Sequence, residues 1–162
     1  PVYWDLVEKE PKSYDWSEID WQLAEAEKRD AEVILSIGLK VPRWPECHIP
    51  GWVGDDTDTR RAAVLRFMMR AVERYKDHPT VTVWQVENEP FLPFGICPPF
   101  DADFLDQEVA LTKHLDPSRP VLLTDFTPKY HVVPGLRPST TTDVRLGLET
   151  RTLWSYWRDA VP

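Results

Sequence analysis

Three short apolar runs most constrain what this chain can become: Val33-Ile34-Leu35-Ser36-Ile37, Val81-Thr82-Val83-Trp84-Gln85-Val86 and Val121-Leu122-Leu123-Thr124. Each is strand-length and rich in β-branched residues, and the first is near-continuously apolar, the mark of a strand buried on both faces. Helical patterns separate them. Val64, Met68, Ala71, Val72 and Tyr75 recur at helical spacing in a segment from about Thr59 to Tyr75, which Pro79 closes. Asp101 is placed to cap a helix carrying Phe104, Leu105, Val109, Leu111 and Leu115. Upstream, Ser17 opens a helix with Ile19, Leu23, Ala24 and Ala26 on its apolar side and Asp20 as reciprocal capping partner. Val2 to Val7 reads as one more strand. Strands alternating with helices pair in parallel through crossover connections, so the expected class is α/β, with about four parallel strands.

At 162 residues, one well-buried domain is expected. The regular rhythm covers residues 1–125. From 126 to 162 it fails and an irregular tail is expected, with Leu153, Trp157 and Val161 sharing one face of a short helix at 150–160.

Many of the 8 tryptophans and 16 prolines crowd two loops, "KVPRWPECHIPGW" and "ENEPFLPFGICPPF". Both follow strands, on the carboxyl side where parallel α/β folds place their sites. A net charge of −8 excludes a basic nucleic-acid face. No apolar stretch reaches membrane-spanning length. No Gly-rich phosphate loop, Gly-x-Ser-x-Gly elbow or metal-ligand spacing occurs, so no cofactor or metal is expected. Cys47 and Cys97 each lie in a loop after a strand; they are read as two unpaired thiols rather than a bridge. With Pro1 opening the sequence and no apolar leader behind it, the compartment stays open.

The stretch "VENEPF", residues 86–91, carries the chemistry. A carboxylic acid at the rim of a parallel strand can protonate a leaving group when its surroundings raise its pKa, and a neighbouring amide can hold a substrate hydroxyl. Glu89 and Asn88 are those two groups, and Trp44, Trp52, Phe91 and Phe94 supply apolar faces for sugar rings. Glu87, two residues earlier, is read as sharing the strand face of Glu89. Two side chains on one wall cannot flank a bond from opposite sides, so Glu87 is not its nucleophilic partner.

"WQVENEPF" resembles the fourth-strand motif of the clan A retaining glycoside hydrolases, the (β/α)8-barrel superfamily of cellulases, mannanases and β-galactosidases. "VYWDLVEKEPKSYDWSEIDWQLAEAEKRDAEVILSIG" is similar to the aromatic second strand, helix and third strand of the same enzymes. The likeness runs from residue 2 to about 125. It implies a partial TIM barrel, a retaining hydrolase of β-linked O-glycosides, Glu89 as general acid/base and Asn88 as the residue on the sugar 2-hydroxyl. It places Arg43, Trp44 and His48 in a loop lining the sugar cleft, with an oligosaccharide or glycoside as partner.

The clan's nucleophile is a glutamate ending the seventh strand. At roughly 31 residues per unit of a 250-residue barrel, three units beyond Glu89 lie past Pro162. Glu149 sits in a segment without strand pattern and does not fill the role. The expectation is therefore the first half of a barrel, without its first strand, inactive alone and prone to self-association through open sheet edges. A second reading is a carbohydrate-binding or assembly fragment that does no chemistry.

Overall fold

The computed structural model describes residues 1–126 and 153–156. Its elements in chain order are α1 (Trp4–Val7), α2 (Ser17–Glu27), β1 (Val33–Ile37), α3 (Thr57–Tyr75), β2 (Val81–Val86), α4 (Ala102–Leu115), β3 (Val121–Phe126) and β4 (Leu153–Tyr156). The sheet runs β1-β2-β3-β4. β1 pairs with β2 and β2 with β3 in parallel, each through a crossover helix, as the three apolar runs require. Their open sheet with alternating helices is a partial α/β barrel.

Three expectations are corrected. Residues 2–7 do not form a strand: Val2 donates one backbone hydrogen bond to Ser36 O (2.8 Å), alongside β1, and the chain then turns into α1. The indole N–H of Trp4 reaches the fully buried Glu8 carboxylate (2.7 Å), a helical i to i+4 contact that a strand could not make. Residues 153–156 form a strand, not a helix. "LWSY" is rich in aromatic β-formers, and the free edge of β3 offers it an antiparallel ladder from Leu123 to Phe126. Among the described residues three strands, not four, are parallel. The third correction concerns α2: its N-cap is Trp16, without a side-chain bond. Asp20 instead accepts from Arg74 (2.5 Å) and Tyr75 (2.8 Å) on α3, because a charge-assisted pair offers its carboxylate more than a capping contact would.

The core lies between the sheet and the helices. α3 buries Val64, Phe67, Met68, Ala71, Val72 and Tyr75 in one stripe, and each fully buried large side chain contributes about 1.5–3 kcal/mol. Asp56 and Asp101 cap α3 and α4 by accepting from Thr59 N (2.8 Å) and Phe104 N (3.1 Å). Ala24 of α2 faces solvent, while Ile19 and Leu23 are buried. Glu149 and the rest of 127–152 and 157–162 lie outside the described residues. Among the described residues no helix is long and apolar enough to cross a membrane.

Candidate active site

Because β1 and β2 are parallel neighbours, the loops that follow them leave the sheet on the same side and run together. Cys47 and Cys97 are joined by a disulfide across a Cα–Cα distance of 5.2 Å, which corrects the reading of two free thiols. They are 50 residues apart in sequence, and only the crossover brings them together. The same seam carries a backbone bond from Ile96 N to Pro45 O (2.9 Å). Gly95 packs so tightly there that a Cβ would stand 2.6 Å from the Pro45 carbonyl.

At the end of β2 the backbone leaves the strand abruptly. Glu87 and Glu89 both take left-handed φ values, 56° and 47°, unfavourable for residues with side chains and concentrated at functional sites. Strand alternation therefore stops at Val86, and Glu87 does not share a face with Glu89. Glu87 turns inward and is fully buried, accepting from the backbone N–H groups of Leu39 (2.6 Å) and Lys40 (2.5 Å). Gly38 makes room for it: at φ 127°, a Cβ there would lie 2.2 Å from Glu87 Oε1. Burial pushes the Glu87 carboxyl up to about 7, against the pull of those two amide donors. Glu108 of α4 is equally buried, and burial together with the Glu87 charge raises its carboxyl well above the usual range.

Asn88 is half-buried, and its amide is oriented from three sides. Its Oδ1 accepts from Gln85 Nε2 (3.1 Å) and Thr124 Oγ1 (3.4 Å), while its backbone N–H donates to Lys40 O (2.7 Å). The two bonds to Oδ1 occupy the carbonyl end of the side-chain amide, which also carries two Nδ2–H donors. Glu89 follows, half-buried, its N–H on Thr124 O (3.1 Å) within β3. The ammonium of Lys40, only 1% exposed, donates to the carbonyls of Glu89 (2.8 Å) and Leu92 (2.7 Å).

The exposed aromatic residues Trp44 and Phe94 lie in the two loops, and Asn88 and Glu89 line neither of the two hollows there. Trp44 is 65% exposed and meets Phe94 edge-on at 6.1 Å. A cavity of about 420 Å³ opens along the loop after Glu89, lined by Pro90, Phe91, Leu92, Phe94 and Phe100. Its volume falls in the range of small-molecule sites. A second hollow, between Arg61, Asp101 and Phe104, is about 30 Å³ and has room only for water. Arg43 is exposed at φ 116° beside Trp44. His48 is placed differently. It is buried under Tyr3 at 4.4 Å, with Nε2 donating to Arg43 O (3.2 Å) and Nδ1 3.4 Å from Asp5, so it anchors the loop to α1. Trp52 likewise turns inward, its N–H on Glu8 O (2.8 Å).

Lys40, Gln85 and Thr124, which orient the Asn-Glu pair, escape sequence reasoning. They lie on three different segments, and although Gln85 sits inside "WQVENEPF", nothing in the spacing marks it, Lys40 or Thr124 for this role. Gly38, the glycine that closes the first apolar run, is the one local sign by which the close approach of Glu87 could have been found.

Comparison with known proteins bears on the family and the fold. Residues 24–138 match the family model described as glycosyl hydrolases family 2, TIM barrel domain. The β-glucuronidase of Pongo abelii is 42% identical over 57 residues, which are 35% of this chain and 8% of that protein. Among solved structures, the native xylanase 10B of Thermotoga maritima superposes with a TM-score of 0.61 at 17% identity, over 77% of this chain and 39% of that one. The GH5_18 protein of Streptomyces cattleya, solved with GlcNAc, gives 0.62 at 14% identity, over 80% and 35%. Those two likenesses concern the fold, and the chain spans little more than a third of either. The chain belongs to the glycosyl hydrolases family 2, as part of that family's TIM-barrel domain.

Proposed function

We propose that this chain carries the acid/base half of a retaining β-glycosidase site, with Glu89 as proton donor and Asn88 as the group that holds the sugar. In such a site Glu89 protonates the glycosidic oxygen as the bond to the anomeric carbon breaks, then takes a proton from the water that releases the sugar. The Asn88 Nδ2–H donors meet the 2-hydroxyl, a contact that tightens as the ring gains oxocarbenium character. Trp44, Phe91 and Phe94 flank the bound saccharide, and Arg43 stands at its rim. His48 serves indirectly, by fixing the loop. The observation that carries this reading is Asn88: Gln85 and Thr124 fix its carbonyl end, and its two N–H donors are left to hold a sugar hydroxyl one residue before Glu89.

A retaining pair needs a second carboxyl about 5 Å from the first. Glu87 does not provide it, being committed to the Leu39 and Lys40 amides. On this reading the nucleophile lies outside the described residues, and hydrolysis by this chain alone is expected to be negligible. The chain spans 39% and 35% of the two barrel neighbours' chains. The test is an aryl β-glycoside assay with and without a complementary half-barrel. Turnover that needs both pieces and is lost in Glu89→Ala supports the reading. Steady turnover by this chain alone, abolished by the same substitution, overturns it.

A further inference from the structure

Lys40 directs its backbone N–H, its carbonyl and its ammonium onto one short segment of another loop. Its N–H donates to Glu87 Oε2 (2.5 Å), its carbonyl accepts from Asn88 N (2.7 Å), and its ammonium donates to the carbonyls of Glu89 (2.8 Å) and Leu92 (2.7 Å). Burying an ammonium is costly unless hydrogen bonds and a counter-charge compensate it. Here both are present, since Glu87, fully buried, lies against the backbone of the same residue. A lysine in this position is an expensive way to fill a core, and an aliphatic side chain would serve packing alone.

What the ammonium does is visible in the turn it touches. Leu92 N donates to Glu89 O (3.0 Å), so residues 89–92 close a reverse turn, and Phe94 N donates to Leu92 O (2.7 Å) just beyond it. The carbonyls of Glu89 and Leu92 converge on a single point, where two lone-pair dipoles facing each other repel. A cation between them converts that repulsion into two charge-assisted bonds. The turn contains Glu89 at φ 47°, a backbone state that persists only where its surroundings over-determine it.

We propose that Lys40 is a positioning residue for the Glu89–Asn88 pair: its ammonium, seated between the carbonyls of Glu89 and Leu92, holds the left-handed turn that presents the Glu89 carboxyl and the Asn88 amide to a glycoside. This assignment rests on the glycosidase reading above. It makes the loop after β1 part of the acid/base machinery, though it touches no substrate. The brace is reciprocal: the Glu87 side chain from the second loop fixes the backbone of Lys40, and the Lys40 side chain fixes the backbone of Glu89.

Amide hydrogen exchange on the intact chain, wild type against Lys40→Met and Lys40→Arg, tests it. In Lys40→Met the Glu89 and Leu92 amides are expected to exchange at least tenfold faster, while Trp84, bonded to Pro120 O inside the sheet, changes less than threefold. Lys40→Arg, which keeps the cation, restores at least half of the lost protection on a logarithmic scale. Uniform acceleration throughout the fold would show a merely structural lysine and overturn the proposal, as would no change at 89 and 92. Should Lys40→Met fail to fold, the wild-type ammonium itself decides. A slowly exchanging Nζ resonance with contacts to residues 89–92 supports the brace, and a rapidly averaged one like that of a surface lysine contradicts it. A parallel titration with 4-nitrophenyl β-glucoside, β-galactoside, β-mannoside, β-xyloside and β-glucuronide separates the two claims. Shifts at Asn88 and Glu89 in the wild type that weaken at least fivefold in Lys40→Met support positioning, and equal shifts in both overturn it. No shift in the wild type sinks the sugar-site reading itself, whatever the exchange data say about the brace.

Discussion

The carboxyl of Glu87 at the end of β2 meets that of Glu108 on α4 where neither is exposed to water. Two buried acids side by side cannot both ionise cheaply, so burial raises both carboxyls above their ordinary range, and the Glu87 charge adds to the rise at Glu108. The charged groups facing them are Lys40 from the loop after β1 and Arg61 from α3.

The sign of the linkage follows. Both carboxyls are raised in the folded state above their ordinary value of 4.5, so between those limits the folded chain binds more protons than the unfolded one. Stability is full below about pH 4.5 on this account and falls as pH rises through about 7. Carboxylates held low, such as Asp20 and Asp101, act in the opposite sense but titrate below this window. Urea unfolding measured from pH 5 to pH 8 is expected to show the midpoint falling with pH. Glu108→Gln, neutral throughout, is expected to flatten that slope. A midpoint that rises with pH in the wild type contradicts the assignment.

Gly38→Ala is expected to destabilise the chain by about 2–4 kcal/mol, because the position needs a left-handed backbone and the new methyl would occupy the space of Glu87 Oε1. Gly51, with open space around its Cβ position, is the control, and Gly51→Ala is expected to stay within about 0.5 kcal/mol. Chemical denaturation of both variants checks the contrast.

Reducing the Cys47–Cys97 bond frees a separation of 50 residues, worth about 4 kcal/mol in the chain-entropy account. The loss is expected to appear as a lower thermal midpoint in the presence of reductant. The Cys47→Ala/Cys97→Ala double variant should match the reduced protein and show no further response to reductant.

Trp44→Ala leaves stability nearly unchanged, since the ring is 65% exposed. It is expected to weaken saccharide binding by about tenfold, the order of one lost aromatic contact. Calorimetric titration of both proteins with the ligand that binds the wild type reads the difference directly.

Much of the fold was legible because its signals are local. The three apolar runs, the α3 stripe and the Asp101 cap each act over one or two turns of chain. The failures were contests between local preference and tertiary partners. Asp20 could cap α2 but found Arg74 on another helix, and Trp4 could extend a strand but found Glu8. The disulfide and the Lys40 brace were illegible for a related reason. Both join residues about fifty positions apart that only the parallel crossover makes neighbours, and no spacing along the chain encodes that. Glu89 and Asn88 were readable because they are adjacent in one motif. Of the residues that orient them, Lys40 and Thr124 lie on other segments of the chain, and Gln85, though in the motif, carries no local sign of its role.

The central claim is that Glu89 and Asn88 face one bound saccharide. The most direct measurement follows the side-chain resonances of this chain, the Glu89 carboxyl carbon and the Asn88 amide nitrogen, as the 4-nitrophenyl β-glycoside panel is added. The account predicts that at least one sugar moves both resonances together along a single saturation curve, and that Asn88→Ala weakens that binding at least tenfold. Saturable binding that shifts other residues and leaves these two unmoved would contradict it.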